Sequence, residues 1–372
     1  VSASDFALDP AVHHLNPGAF GIVPAVVRAA QARYQRAADA NPMRFHRVDG
    51  PALVARAREA AGEFLGAEVV LVRNATEAAA TVLAAADLRA GEEVLVSDHG
   101  YGAIAHSARS TAERTGARVR VAPIPVGATS ERIVAAFAAG LTDRTKLVLV
   151  DAISSATALV LPVAEIAAVC RERGALVHVD AAHAPGHLRQ RPDQLGAHTW
   201  AGNLHKWAYT PNTSAALWIA PEHRERVRPL VPSWEFPHGY PRWFDHAGTS
   251  DYSGWMAIPD GLAYWASIGG WDAVDAGARS LDRGVEVVSA ALGAPGQVSP
   301  LHAPLMRLVR LPAGRVVDLA SSNALYAELS ARGVEAAVVE FGGEGFVRLA
   351  GSPHITENDY RALADALTAQ FA

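Results

Sequence analysis

The sequence predicts an α/β fold: a mostly parallel sheet sandwiched by helices, with a smaller α+β domain at the C-terminal end. Three observations lead there. Short apolar runs alternate with longer stretches of helical periodicity through the middle of the chain, as expected of strands joined by helical crossovers. Polar residues gather just beyond the carboxyl ends of those runs, where open α/β sheets bind their ligands. Composition then changes near Pro229 to Gly248, with several Pro, Gly and aromatic residues, before a second set of strand and helix patterns.

Residues 1–25 read as an arm that includes the irregular Asn16-Pro17-Gly18-Ala19-Phe20-Gly21 and covers the active site. A large domain is expected over 26–258. Val26 to Ala40 and Ala52 to Leu65 carry helical periodicity. Strands are expected at Val69 to Val72, Glu93 to Ser97, Arg118 to Ala122, Leu147 to Val150, Leu176 to Val179 and Ala215 to Ile219. The polar sets that follow them are Asn74 with Thr76, Asp98 with His99 and Tyr101, Asp151 with Ser154 and Ser155, and Asp180 with His183. The small domain, 259–372, carries helical patterns at Gly261 to Ile268 and Asp275 to Ala291. Its strands are expected at Met306 to Leu311, Glu335 to Phe341 and Phe346 to Leu349. A last helix starts at Thr356-Glu357-Asn358-Asp359, which resembles a capping box.

Half of the 372 residues are apolar, enough to bury a substantial core. Acidic and basic residues are interspersed and the formal net charge is -5, so no basic stripe points to nucleic acid. Cys170 is the only cysteine, which excludes an internal disulfide and a cysteine-based metal site. No apolar run is long enough to span a bilayer. Val1-Ser2-Ala3-Ser4-Asp5-Phe6 lacks the basic-then-apolar pattern of a secretory signal, so a cytoplasmic location is expected.

Lysine is nearly absent. Lys and Arg together number 33, yet only Lys146 and Lys206 are lysine. Arginine keeps its proton and forms no imine, whereas a desolvated lysine amine does both kinds of chemistry. Lys206 lies in Gly202-Asn203-Leu204-His205-Lys206-Trp207, and Lys146 reads as a solvated charge at a strand start. Chance survival under a bias toward arginine is the plain alternative for Lys206.

Asp180 ends the run Val177-His178-Val179-Asp180, and a carboxylate at a buried strand end needs a cation or donors. A protonated pyridine nitrogen supplies one, and pyridoxal-phosphate enzymes pair such an acid with an imine-forming lysine. Asp180 and Lys206 fit those roles; a simple helix cap is the other reading of Asp180. Asn74-Ala75-Thr76-Glu77 directly after a strand offers free N–H groups and a hydroxyl to a phosphate, or an ordinary capped turn.

With these residues in view, the chain resembles fold-type I pyridoxal-phosphate enzymes of the class V aminotransferase group, and within it isopenicillin N epimerase-like proteins. The segments that carry the likeness run in order along the chain. They are Leu15-Asn16-Pro17-Gly18, Asn41-Pro42, Asn74-Ala75-Thr76-Glu77-Ala78, Asp98-His99-Gly100-Tyr101, Ser155-Ala156-Thr157, Val179-Asp180-Ala181-Ala182-His183, His205-Lys206-Trp207, Gly248-Thr249-Ser250-Asp251 and Val347-Arg348-Leu349.

The resemblance implies pyridoxal 5'-phosphate held as an imine by Lys206, a pyridinium partner in Asp180 and a contact from His183 to the phenolate oxygen. It implies an aromatic ring over the cofactor, with Tyr101 chosen and His99 the alternative. Ser155 belongs to the cofactor set as well. Phosphate contacts are expected from Ala75, Thr76 and His205, and from Thr249 donated by the second subunit of a homodimer. Arg348 and Asn16 are expected to hold the substrate.

Two departures stand out. His183 replaces the Gln common among relatives, and His354-Ile355 replaces a Tyr-Asn pair. Cys170 lies outside the C-terminal domain, which disfavours desulfuration through a persulfide.

The expected reaction joins an amino acid to the cofactor and removes its Cα proton, leading to C–S β-elimination or epimerisation, with Tyr101 or His99 as a second acid. Transamination and oxidative deamination are alternatives within the fold. A metal-dependent hydrolase using His178, His183 and His187 around Asp180, or a non-catalytic binding module, are readings from other classes.

Overall fold

A computed structural model of the chain describes residues 3–371 apart from 295 and 297. Val1 and Ser2, which open the expected arm and the segment read for a secretory signal, lie outside the described residues. So does Ala372, the end of the expected small domain.

The strands are β1 (His13–His14), β2 (Val70–Val72), β3 (Glu93–Ser97), β4 (Arg118–Ala122), β5 (Thr145–Asp151), β6 (Leu176–Asp180), β7 (Thr199–Asn203), β8 (Ala215–Ile219), β9 (Met306–Arg310), β10 (Val334–Glu335), β11 (Ala337–Phe341) and β12 (Glu344–Ala350). Seven of them form one sheet in the order β2-β8-β7-β6-β5-β3-β4. β8 runs antiparallel to both β2 and β7, and the remaining pairings are parallel.

Near-continuous apolar runs suit such a sheet because both faces are covered. Successive side chains point to opposite faces. Leu95, Val148, Val177 and Trp200 meet helices Gly50–Leu65, Ser130–Gly140 and Val163–Glu172 on one side. Val94, Leu147, Leu149 and Leu217 meet Ala75–Ala85 and Gly102–Thr115 on the other. Cys170 is buried in the helix on the first face, where burial pushes its thiol up to about 12. Lys146 is the second residue of β5.

The sequence reading missed β7. Its Ala201-Gly202-Asn203 half lacks the β-branched residues that mark strands. Packing explains the glycine: a Cβ at 202 would lie 2.3 Å from the Trp200 ring and 2.6 Å from Pro185. The expected strand Glu335–Phe341 is divided as well, because β10 and β11 belong to different sheets with the buried Ala336 between them.

The C-terminal part builds an antiparallel sheet, β11-β12-β9, and β10 pairs in parallel with β1 of the arm. Leu15 of the arm is buried in the same core as Leu305, Val347 and Leu363. Helix Ile258–Ser267 packs on Ala25–Ala40 and Gly50–Leu65, whereas Trp271–Leu292 lies along Glu357–Phe371 and β9. The Asp359 carboxylate accepts both the N–H and the hydroxyl proton of Thr356 at 2.7 Å, which closes the start of the last helix.

Candidate active site

Strand ends converge on one cleft. Asp151 and Asp180 end β5 and β6 and are partners across that pair, while Asn203 ends β7. Lys206 follows on the single turn Leu204–Trp207. Together with Ala75, Thr76, Tyr101, Ser155, His183 and His205 these residues line a cavity of about 280 Å³.

Lys206 is buried, and that burial brings its amine down to about 8; the Arg348 charge acts the same way and Asp180 opposes it. Its Nζ lies 3.1 Å from His183 Nε2. Burial raises the Asp180 carboxyl, against the Ala182 N–H that it accepts at 3.0 Å and the charge of Lys206. Asp151 is raised further, by burial and then by Asp180, because two buried carboxylates side by side do not both ionise.

The turn after β2 is capped by Asn74, whose side chain accepts the Glu77 N–H at 2.9 Å. Asn203 Oδ1 accepts the Ala75 N–H at 2.9 Å, which ties the turn to the strand before Lys206 and takes one of the N–H groups expected to meet phosphate. Thr76, next in the helix, lines the cleft. His205 donates from Nδ1 to the Ser214 carbonyl at 3.0 Å, and burial brings its ring down to about 4.

Tyr101 is on the cleft wall with 45% of its surface exposed. His99 is not on that wall. Its Nε2 donates to the Ile124 carbonyl at 2.8 Å, Nδ1 meets the Thr157 hydroxyl at 2.6 Å, and its ring lies 4.1 Å from that of Phe341. Both nitrogens are occupied in holding loops together.

Arg348, on β12, is not among the residues that line the cavity but reaches its wall through Ser155. It donates from Nη2 to Asn16 Oδ1 at 2.7 Å and from Nη1 to the Ser155 carbonyl, and it is buried enough to be lowered to about 10. Among the described residues no carboxylate pairs with it. A buried guanidinium facing only neutral oxygens is suited to an anion.

The arm presses on the lysine turn. Gly21 has φ +76°, and a Cβ there would fall 1.7 Å from the His205 carbonyl oxygen. Phe20 is 80% exposed at the cleft. Thr249 lies apart, in a groove of about 900 Å³ with Met43, His46, Trp234 and Tyr252.

His178 and His187 have separate partners. His178 Nδ1 meets Thr199 Oγ1 at 2.9 Å, and His187 bridges the His183 carbonyl and the Leu305 N–H. Among the described residues no group of three His, Cys, Asp or Glu side chains is placed to hold a metal. Nor is any helix there long and apolar enough to cross a membrane.

Four residues of the cleft had no role expected from the sequence, Asn203, Arg73, Asn212 and Thr213, while Asp151 was expected only as one of the strand-end polar residues and Phe20 only as part of the arm. Asp151 had a signal, since it ends an apolar run as Asp180 does. Asn203 had one only once β7 was known.

A lysine of lowered basicity and a buried strand-end acid, at the carboxyl edge of a mostly parallel sheet with a small C-terminal α+β part, define an enzyme of the fold-type I class. Residues 15–288 match the aminotransferase class-V family, and the chain belongs to it.

The chain is 36% identical over 275 residues to a putative L-cysteine desulfhydrase 2 of Oryza sativa subsp. japonica, covering 68% of this chain and 57% of the relative. It thus spans little more than half of that relative's length. Isopenicillin N epimerase of Streptomyces clavuligerus is 30% identical over 388 residues, covering 97% of this chain and 96% of the relative. Among solved structures, C-DES with glycine covalently linked to the PLP cofactor has a TM-score of 0.84 at 20% identity and covers 99% of both chains. The cystine C–S lyase C-DES with its reaction product cysteine persulfide gives 0.82 at 21% identity, over 96% of this chain and 97% of that one.

Proposed function

We propose that the protein is a pyridoxal-phosphate enzyme that removes the Cα proton of an amino-acid substrate and expels a sulfur leaving group from its Cβ. The residues fit that cofactor: an amine for its aldehyde, a buried acid for its ring nitrogen and a helix start for its phosphate lie around one cavity. When bound, pyridoxal phosphate supplies a carbonyl carbon for amine attachment and an electron sink for charge at Cα.

The chain's own groups take the remaining tasks. Asp180 meets the ring nitrogen, His183 the phenolic oxygen, and Tyr101 covers the exposed ring face. Thr76, the Ala75 turn and His205 meet the phosphate, with Ser155 alongside. Arg348 with Asn16 holds the substrate carboxylate, and Lys206 Nζ takes the Cα proton. Thr249, remote from this cleft, serves the cleft of a second copy in a homodimer. The large domain is taken as 26–258 and the small one as 259–372, with helix Ile258–Ser267 packed on Ala25–Ala40 and Gly50–Leu65.

The observation that carries this reading is the lysine amine brought down to about 8 near a buried arginine that has no carboxylate partner among the described residues. Elimination needs one base, and Lys206 provides it. The rice relative's name and the C-DES structure support C–S chemistry. Epimerisation is the second reading, favoured by Tyr101 as an acid on the cleft wall and by the Streptomyces relative. In elimination the Cα–H and Cβ–S bonds break and a Cα=Cβ bond forms, the sulfur leaving as a thiol with a proton, and hydrolysis of the remaining enamine gives pyruvate and ammonium.

The test is incubation with sulfur-bearing amino acids in heavy water. Pyruvate and thiol are expected. Racemised, α-deuterated substrate without pyruvate would move the assignment to epimerisation, and a keto acid retaining the side chain would move it to transamination or oxidative deamination. Borohydride reduction should add cofactor mass to the Lys206 peptide; its absence overturns the cofactor reading.

A further inference from the structure

The ring nitrogens of His183 face two different partners. Nδ1 accepts the Trp207 indole N–H at 3.4 Å, and Nε2 stands 3.1 Å from Lys206 Nζ. An indole nitrogen only donates, so Nδ1 must present its lone pair to it. A neutral imidazole then carries its proton on Nε2.

Neutrality is imposed by the surroundings. The ring is buried, and the charges of Lys206 and then Arg348 oppose a second proton. His187 does not compete for the ring: its Nε2 accepts the Leu305 N–H at 2.8 Å and its Nδ1 donates to the His183 carbonyl at 3.0 Å. Trp207 is itself confined, 3% exposed, with its ring 4.7 Å from that of His187.

We propose that Trp207 is a positioning residue that holds His183 in the Nε2–H form, so that the cleft presents a hydrogen-bond donor beside Lys206. One helical turn thus carries both the amine and the group that sets the proton of the amine's neighbour. An Nε2–H donates to the lone pair of an unprotonated Lys206; an ammonium would meet it donor to donor. In the other tautomer Nε2 would accept from the ammonium, and a buried indole N–H would be left without an acceptor. Asp180 is the group that pulls the other way, toward a charged lysine. The tautomer is independent of the cofactor reading. Its use toward a ring oxygen rests on that reading.

The test is nitrogen-15 NMR of the full chain labelled in histidine, with and without cofactor, His183 being assigned by its loss in His183→Gln. The expected spectrum has a protonated Nε2 and an unprotonated Nδ1. A protonated Nδ1 in the cofactor-free protein overturns the proposal. Trp207→Phe keeps the ring and removes the donor, and its Lys206 should become about tenfold slower to label with an amine-reactive reagent near neutral pH, the effect of one pH unit in amine ionisation.

Only Lys146 and Lys206 carry lysine amines, so peptide masses read the two apart and Lys146 is an internal control. An unchanged Lys206 rate in folded Trp207→Phe overturns the proposal; should that variant not fold, the wild-type spectrum decides. If the Nε2–H signal is present but borohydride fixes no cofactor at Lys206, the cofactor reading fails and the tautomer stands.

Discussion

Arg348 Nη2 and Asn16 Oδ1 are 2.7 Å apart, a contact between residues 332 positions distant in sequence. It joins β12 to the arm, and among the described residues the guanidinium fork has no carboxylate partner. Arg348→Lys keeps a cation but loses the planar fork, so kcat/KM should fall roughly 30- to 100-fold, mostly through KM. Asn16→Ala should cost less, under about tenfold. Steady-state kinetics with thermal melts as a folding control decide; an unchanged KM in Arg348→Lys removes Arg348 from substrate binding.

Lys206 is held charged at a cost. Its amine sits at about 8 in the folded chain against an ordinary 10.5, so between those values the unfolded chain binds more protons and stability rises with pH. Replacing Lys206 by Met should stabilise the cofactor-free protein at pH 7 by up to about 3 kcal/mol. The gain should shrink as pH climbs from about 8 toward 10.5. Denaturant unfolding at both ends of the window measures it, and a gain independent of pH would contradict the buried-amine account.

Acid should unfold the chain early. Burial brings His178 and His187 down to about 3 from 6.5, so below 6.5 the unfolded chain takes up protons that the folded chain refuses. Stability is full above that value and is lost as pH falls toward 3. By pH 5 each ring should cost roughly 2 kcal/mol. His178→Gln should flatten the fall between pH 7 and 5 in urea unfolding; an unaltered slope would show that His178 is not a source.

Gly21 tests the arm. Its φ of +76° and the 1.7 Å approach of a built Cβ to the His205 carbonyl leave no room for a side chain. Gly21→Ala should cost about 1–3 kcal/mol and open the arm to protease cleavage ahead of global unfolding. Equal proteolysis of the two proteins would show that the arm's seat on the lysine turn tolerates bulk.

The large sheet was legible because buried strands read as apolar runs, and Asp180 at a strand end and Lys206 on the turn after β7 stood out by their side-chain types. β7 was not, since its Gly202 and Asn203 are chosen for packing against Trp200 and for holding the Ala75 turn rather than for strand propensity. Asp151 shows a different limit: its weight comes from lying opposite Asp180 across two strands, a register that no local pattern states. The separation of His99 from Tyr101 is another such case. Two residues apart in sequence, they diverge because His99 turns inward to Thr157 and Ile124 while Tyr101 remains at the cleft. Asn212 and Thr213 reach the cleft only through the path of the chain between β7 and β8.

That same path ties the lysine to the slowest motions of the molecule. The turn at 204–207 leaves β7 and returns through Ser214 into β8, both interior strands, and the Leu204 and His205 N–H groups bond back to the Ser214 carbonyl. Its backbone has no edge from which to fray, so its amide protons should exchange only when the sheet itself opens. The Lys206 amine therefore stands on backbone that keeps its place for as long as the sheet stays closed.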